Sequence, residues 1–490
     1  MRSISAFALL LGWLLSASAA AQPCDCPSTF SWMVRTFEEN DAGFRVVLDR
    51  KGEAAYMEHT DAIRKQVAGV TDPMACAQLL NAWLLWFRHA HIGIEPTQKA
   101  KDAQPPMERQ VNTAAPPPPG RVIKLKEADL LKQWSKASDL DPIEGIWSMG
   151  AYRAAFVKDG AKPRAYAAVI LSSKNAAWKP GEVKAEIAAT DDGYGGTYFL
   201  GDHRPEPVQA RFIPGSGGMM EMNGLWVREY PATPLSMEEQ VLLRFGNTHT
   251  PFLERLGDHT LYLRIPSFEY TQKVMIDSVL AANDALIRRT ENLIIDIRNG
   301  TGGSDASYEG LIPYLYTGPM RSVGVKLWAT ELNAAGYEVY ADIFGRETED
   351  GRHYLDIATR MRAAPGTWLE TKDQAWSVDS AHTVLPFPQR VGIICNGGNG
   401  STDEQFLLDA RTSAKVKLFG HPTKGSIDVS NMRLIDSPDG CFELGYTMSM
   451  SHRLPRMPMD VMGVQPDHYL DDGIPETGWV GYVQGTLEGR

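Results

Sequence analysis

The chain is poor in cysteine, has no excess of basic residues and has no long apolar run beyond its first residues. It carries five cysteines in 490 residues. No CxxC pair and no HExxH motif occurs, so the common zinc sites are excluded and no metal is expected. Lys+Arg 49 against Asp+Glu 60 gives a net charge of −11. A nucleic-acid partner would need positive charge gathered in one patch, and none is visible. Past the N-terminus no run of about 18 apolar residues appears, so no integral membrane segment is expected. Neither GxGxxG nor a P-loop is present, which leaves a phosphate-bearing cofactor without a cradle. No internal repeat is found.

What is present suits a globular protein of several parts. Hydrophobic residues are 43% and charged residues 22%, enough for a sizeable core. The length predicts about three domains. Gly 44 and Pro 31 predict many turns. Arg2, the apolar run Phe7 to Leu15 and the small residues Ser16 to Ala21 read as a secretory signal peptide over 1–21, cleaved near Ala21. The mature protein is then expected to be exported, to a periplasm or the medium, where disulfides persist. Cys24 and Cys26 are too close for an easy mutual bridge, so Cys26–Cys76 is the expected N-terminal pair. Cys395 and Cys441 form either a second bridge or two core thiols.

Patterning divides the rest. Residues 22–98 read as a helical domain: Phe30, Met33, Val34 and Phe37 recur at helical spacing, and Met74 to Phe87 is apolar on most faces. Residues 99–140 are a linker and a helix, Pro-rich at Ala114 to Gly120. Residues 141–230 hold short apolar and aromatic segments separated by turns, which predict an all-β barrel or sandwich. Residues 231–490 alternate strands (261–265, 293–297, 391–395, 416–420) with helices (275–288, 404–411), the pattern of an α/β domain with a mostly parallel sheet.

Four segments can carry chemistry. Ser401, in Asn396-Gly397-Gly398-Asn399-Gly400-Ser401-Thr402-Asp403-Glu404, follows a buried strand and precedes a helix. Backbone N–H groups there can hold an oxyanion. A plain N-cap serine would read the same, because Ser401 and Glu404 also fit a capping box. The pattern is not G-x-S-x-G. Asp296-Ile297-Arg298-Asn299-Gly300-Thr301-Gly302-Gly303 runs from a strand into a glycine turn. His91 lies just past a buried helix, in Phe87-Arg88-His89-Ala90-His91-Ile92-Gly93-Ile94. Asp460 and Asp467 flank a turn at Gly463.

Together these segments resemble the S41 serine peptidase family, the tail-specific (C-terminal processing) and tricorn-type peptidases. Leu293 to Gly303 is similar to the family's D-x-R-x-N-x-G-G segment. Asn396 to Ala410 is similar to its nucleophile region, with the serine three residues before a glutamate. Gly420-His421-Pro422-Thr423 and Gly463-Val464-Gln465-Pro466-Asp467 resemble the later G-x-P-T and G-[VI]-x-P-D motifs. The resemblance implies a crotonase/ClpP-like S41 peptidase core, here with an N-terminal helical lobe and an inserted all-β module. Tail-specific members place a lysine 25 residues after the serine; that position is Ser426 here. The resemblance then implies the tricorn-like option, with His91 as base, from a stretch similar to D-G-H-[TI]-G-[IL]. It implies a secreted bacterial serine endopeptidase acting on peptides or proteins through an acyl-enzyme. The implied roles are Ser401 as nucleophile, His91 as base, Asp460 as orienter, and the N–H groups of Gly302 and Thr402 as oxyanion hole. An inactive peptide-binding protein on the same scaffold is the alternative that the missing lysine raises. No carboxylate-binding GLGF-like loop of a PDZ domain is found.

Overall fold

The computed structural model describes residues 24–103, 121–160, 164–191, 193–213, 217–371 and 374–490. Residues 1–21, read above as a signal peptide, and the proline run 114–120 lie outside the described residues. The chain divides into two compact units. One takes the described residues of Met1–Arg88, Ile92–Pro106 and Met432–Thr447; the other takes His89–His91, Met107–Asn431 and Met448–Arg490.

The first unit is mainly helical. Helices Cys26–Asn40, Phe44–Lys51, Glu53–Val67 and Pro73–Leu85 pack around Phe30, Phe37 and Trp83, all buried. Asp72 starts the last of these: its carboxylate accepts the N–H groups of Met74 and Ala75, and Pro73 occupies the first turn. Strand Gly93–Pro96 pairs antiparallel with 442–445. Two disulfides close this unit, Cys26–Cys76 and Cys24–Cys441. Of the two alternatives for Cys395 and Cys441, the bridge is not formed, and Cys441 is not a free thiol either. Cys395 is a buried free thiol at the end of a core strand. Cys24 takes Cys441 across 417 residues of sequence, a pairing that spacing along the chain could not indicate.

The second unit contains a closed barrel of eight antiparallel strands between Gly145 and Tyr230. Strand Gly145–Met149 pairs with Leu225–Tyr230, which closes the ring and decides for a barrel over a sandwich. Closure leaves no unpaired edge. Trp147, Phe156, Tyr198, Met220 and Trp226 fill its interior. The remainder is an α/β layer. Its six-stranded sheet runs in the order 252–255, 260–264, 292–296, 390–395, 416–420, 468–469. The first pair is antiparallel and the rest are parallel. Leu293, Ile295, Val391, Ile393 and Leu418 form one face of the buried core, with Phe406 and Leu407 of helix Thr402–Ala410 packed on them. A helical hairpin, Glu331–Phe344 and Glu349–Ala363, lies between strands Val325–Trp328 and Trp368–Glu370. Among the described residues no helix is long and apolar enough to cross a membrane.

Candidate active site

Two adjacent parallel strands, Asn292–Asp296 and Arg390–Cys395, end beside each other and feed the two glycine loops. Asparagines stitch these loops together. Asn396 Oδ1 accepts the Asn299 N–H at 3.0 Å, and Asn396 Nδ2 donates to Asn299 Oδ1 at 2.9 Å. Asn399, fully buried, donates to the Ile297 carbonyl at 2.6 Å and to Asp403 Oδ2 at 2.9 Å. Such paired amides fix backbone that has no ladder of its own.

Beneath the first loop sits a buried ion pair. Arg298 Nη2 donates to Asp296 Oδ2 at 2.6 Å, and Arg298 Nε also faces the carboxylate. Tyr262 donates its hydroxyl proton to the same oxygen at 2.9 Å. Burial alone would raise the Asp296 pKa, but the Arg298 and Arg264 charges hold it below the ordinary range. Arg264 in turn donates to the carbonyls of Asp296 and Arg298. The D-x-R segment thus anchors the start of the glycine loop.

Ser401 stands at the strand-to-helix turn with φ 59° and ψ −122°. A non-glycine residue in that region is strained, and such strain is concentrated at functional sites. The serine is half-buried. Gly302, at φ +83°, packs directly against it: a Cβ there would lie 2.8 Å from Ser401 Cβ and 3.1 Å from the Thr402 nitrogen. Only glycine permits that approach. Thr402 is the first residue of its helix, where the N–H has no acceptor within the helix. Its hydroxyl donates to the Gly303 carbonyl at 2.9 Å. Ser401, Gly302 and Thr402 are therefore one group of neighbours.

Glu404 is buried and does more than cap the helix. Its carboxylate accepts the N–H groups of Ser401 (3.1 Å), Gly425 (2.8 Å) and Ser426 (2.8 Å). It also accepts the Thr423 hydroxyl at 2.5 Å. Thr423 Oγ1 accepts the Val464 N–H at 2.7 Å, and Asp467 Oδ2 accepts the Leu418 N–H at 2.8 Å. The two late motifs are thus tied to the serine turn through Glu404 and Thr423. Sequence reasoning missed this clamp, because the capping-box pattern already accounted for a glutamate at that position. Ser426, which stands where a lysine was looked for, points its hydroxyl at Glu404 Oε2 at 3.4 Å. The Lys424 side chain passes Gly400: a Cβ added there would meet Lys424 Cδ at 3.6 Å.

His91 and Asp460 belong to a second group. His91 Nδ1 lies 2.7 Å from the Val429 carbonyl oxygen. A carbonyl only accepts, so Nδ1 carries a proton. Asp460 Oδ1 accepts the N–H groups of Ile427 and Asp428, each at 2.8 Å. The two groups meet along three consecutive residues: Ser426 binds Glu404, while Ile427 and Asp428 bind Asp460. Among the described residues no group of three His, Cys, Asp or Glu side chains is placed to hold a metal.

Asp403 lies behind the serine turn. It is 1% exposed, and its Oδ1 makes no hydrogen bond. Burial pushes its pKa up to about 7, against the pull of the Asn399 amide and the N–H groups of Gly400 and Gly302. The folded protein then holds this proton more tightly than the unfolded chain. Stability from this group is full below the ordinary carboxylate range and is lost as pH rises through about 7. Asp403→Asn is expected to remove that loss. In thermal melts from pH 5 to 8, its Tm should gain on the wild type as pH rises; a constant difference would show that Asp403 does not titrate in this window.

The model of peptidase family S41 matches residues 259–470. Comparison with curated protein sequences gave no match. Among solved structures, a CPAF mutant is similar over 95% of this chain and 96% of its own, with a TM-score of 0.50 and 10% identity. The tricorn protease is similar over 95% of this chain and 37% of its own, at a TM-score of 0.40 and 10% identity. A protein of Parabacteroides merdae, provisionally designated a peptidase, is similar over 49% of this chain with a TM-score of 0.32 and 14% identity. The chain spans 65% of that protein's length. The likeness to CPAF is one of fold. The family match takes in both glycine loops, Ser401, Glu404, Thr423 and Asp460, and His91 lies outside it. On that match residues 259–470 are similar to peptidase family S41.

Proposed function

We propose that this protein is an exported serine endopeptidase that cleaves peptides or proteins through an acyl-enzyme. The observation that carries this is the Ser401 turn: a strained serine at a strand-to-helix junction, braced by Gly302 in front and Glu404 behind. His91 is the base. Its Nε2 takes the Ser401 proton as Oγ attacks the peptide carbonyl, and the oxyanion forms beside the Thr402 N–H group, the Gly302 N–H being turned to the Asp403 carboxylate. The imidazolium then protonates the leaving amine as the C–N bond breaks. Water, deprotonated by the same nitrogen, releases the acid and restores the serine. Asp460 orients His91 through the backbone at 427–429. The two disulfides and the N-terminal apolar stretch support export. The division into a helical lobe, a linker, a β module and a peptidase core is proposed on the same grounds, with the boundaries given above.

A lysine base is the competing mechanism within the family. Lys424 is the nearest lysine in sequence, two positions from where that base would stand. Peptide-library cleavage with mass-spectrometric mapping of new termini separates the two. The wild type and Lys424→Ala are both expected to cleave, with rates within about threefold. No cleavage by the wild type would favour an inactive binding protein, and loss of cleavage in Lys424→Ala would make that lysine the base.

A further inference from the structure

The His91 ring is held by a neutral backbone carbonyl, whereas a serine triad uses a carboxylate for that task. A carbonyl adds little charge stabilisation, so its value lies in aim. The Val429 carbonyl must be fixed for the ring to be fixed. Val429 opens the strand Val429–Asp436 and directly follows the turn 426–428.

That turn is locked by an exchange between two carboxylates. Asp460 Oδ1 accepts the N–H groups of Ile427 and Asp428. Asp428 Oδ2 returns the contact, accepting the N–H groups of Met459 at 2.7 Å and Asp460 at 2.9 Å. Each side chain takes two donors from the segment that carries the other. Asp428 is buried, at 3% exposed. The loop it grips is otherwise open: Val461 is 75% and Met462 65% exposed. The charged groups facing Asp428 are Asp460 and Arg453. Asp428 Oδ1 makes no hydrogen bond, so only one of its oxygens is engaged in the clasp.

We propose that Asp428 is a positioning residue: with Asp460 it fixes the 427–429 backbone so that the Val429 carbonyl holds the Nδ1 proton of His91 and leaves Nε2 facing the reaction. This rests on the reading of His91 as base. Asp428 touches no reacting atom and acts only through Val429.

The test is peptide hydrolysis by Asp428→Ala and Asp428→Asn, with His91→Ala beside them. Asp428→Ala is expected to lower kcat about 10- to 100-fold while KM stays within about twofold. The acid limb of its kcat/KM profile should move to lower pH, because an ill-aimed carbonyl favours the imidazolium less. Asp428→Asn keeps one oxygen for the Met459 and Asp460 N–H groups and sets an amide where Oδ1 has no partner. It should restore kcat to within about threefold of wild type and leave the limb in place. If Asp428→Ala does not fold, Asp428→Ser, which keeps one acceptor, takes its place with an intermediate kcat. Wild-type kcat and an unmoved limb in the Ala or Ser variant would overturn the proposal. So would an Asn variant as slow as Ala, because charge and not the clasp would then matter. His91→Ala separates the two claims: full activity there removes His91 as base, whereas an inactive His91→Ala beside an unaffected Asp428→Ala removes only the role of Asp428.

Discussion

Ser401→Ala is expected to lower kcat/KM for peptide hydrolysis by roughly 10^4-fold or more, and His91→Ala by a similar factor. Alanine at 401 leaves no oxygen to form the acyl-enzyme. Alanine at 91 leaves the hydroxyl with no base and the leaving amine with no acid. Because the two residues act in one proton transfer, their losses should not add. The double variant is expected to be no slower than the slower single variant, within about threefold. Both variants should fold, since Ser401 is half-buried and is held through its backbone N–H by Glu404. Steady-state kinetics with matched thermal melts check both points. A Ser401→Ala protein that cleaves at the wild-type rate would end the assignment.

Arg298→Met should be the most damaging substitution for stability, at about 3–5 kcal/mol. Asp296 is 0% exposed and would be left with its charge in a dry interior. Arg264 cannot take over: its Nη1 is 3.8 Å from Asp296 Oδ1 and already donates to two carbonyls. Arg298 Nη1 also donates to the Glu476 carbonyl at 2.7 Å, a bond lost as well. Pairing the change with Asp296→Asn should recover part of the loss, because the orphaned charge is then removed. Urea unfolding of wild type, single and double variants measures this. If the single variant loses less than about 1 kcal/mol, the pair is not what anchors the glycine loop.

Much of the core was legible because it depends on local pattern. Leu293 to Ile295 and Val391 to Cys395 are continuous runs without a polar side chain, which is how a strand buried on both faces reads. The glycine turn before Ser401 and the helix after it follow from neighbouring residues alone. What stayed hidden depends on partners far along the chain. Glu404 read as a capping residue, and its larger task needs Thr423 to Ser426, about twenty residues on. The Asp428–Asp460 exchange spans 32 residues and leaves no spacing signature. Cys395 and Cys441 read either as a bridge or as two core thiols; the pairing was decided by Cys24, at the other end of the sequence. Short aromatic strands could not distinguish barrel from sandwich, since the difference lies in one strand pair, 145–149 with 225–230. The hairpin Glu331–Ala363 carried no motif and went unread.

The most direct measurement is the site of fluorophosphonate labelling, mapped by peptide mass spectrometry. A serine made nucleophilic by a neighbouring base attacks phosphorus and expels fluoride, while ordinary serines do not. The wild type is expected to carry one adduct, on the peptide containing Ser401, and His91→Ala to carry almost none. An adduct on another serine, or equal labelling of Ser401 without His91, would contradict the pairing of these two residues.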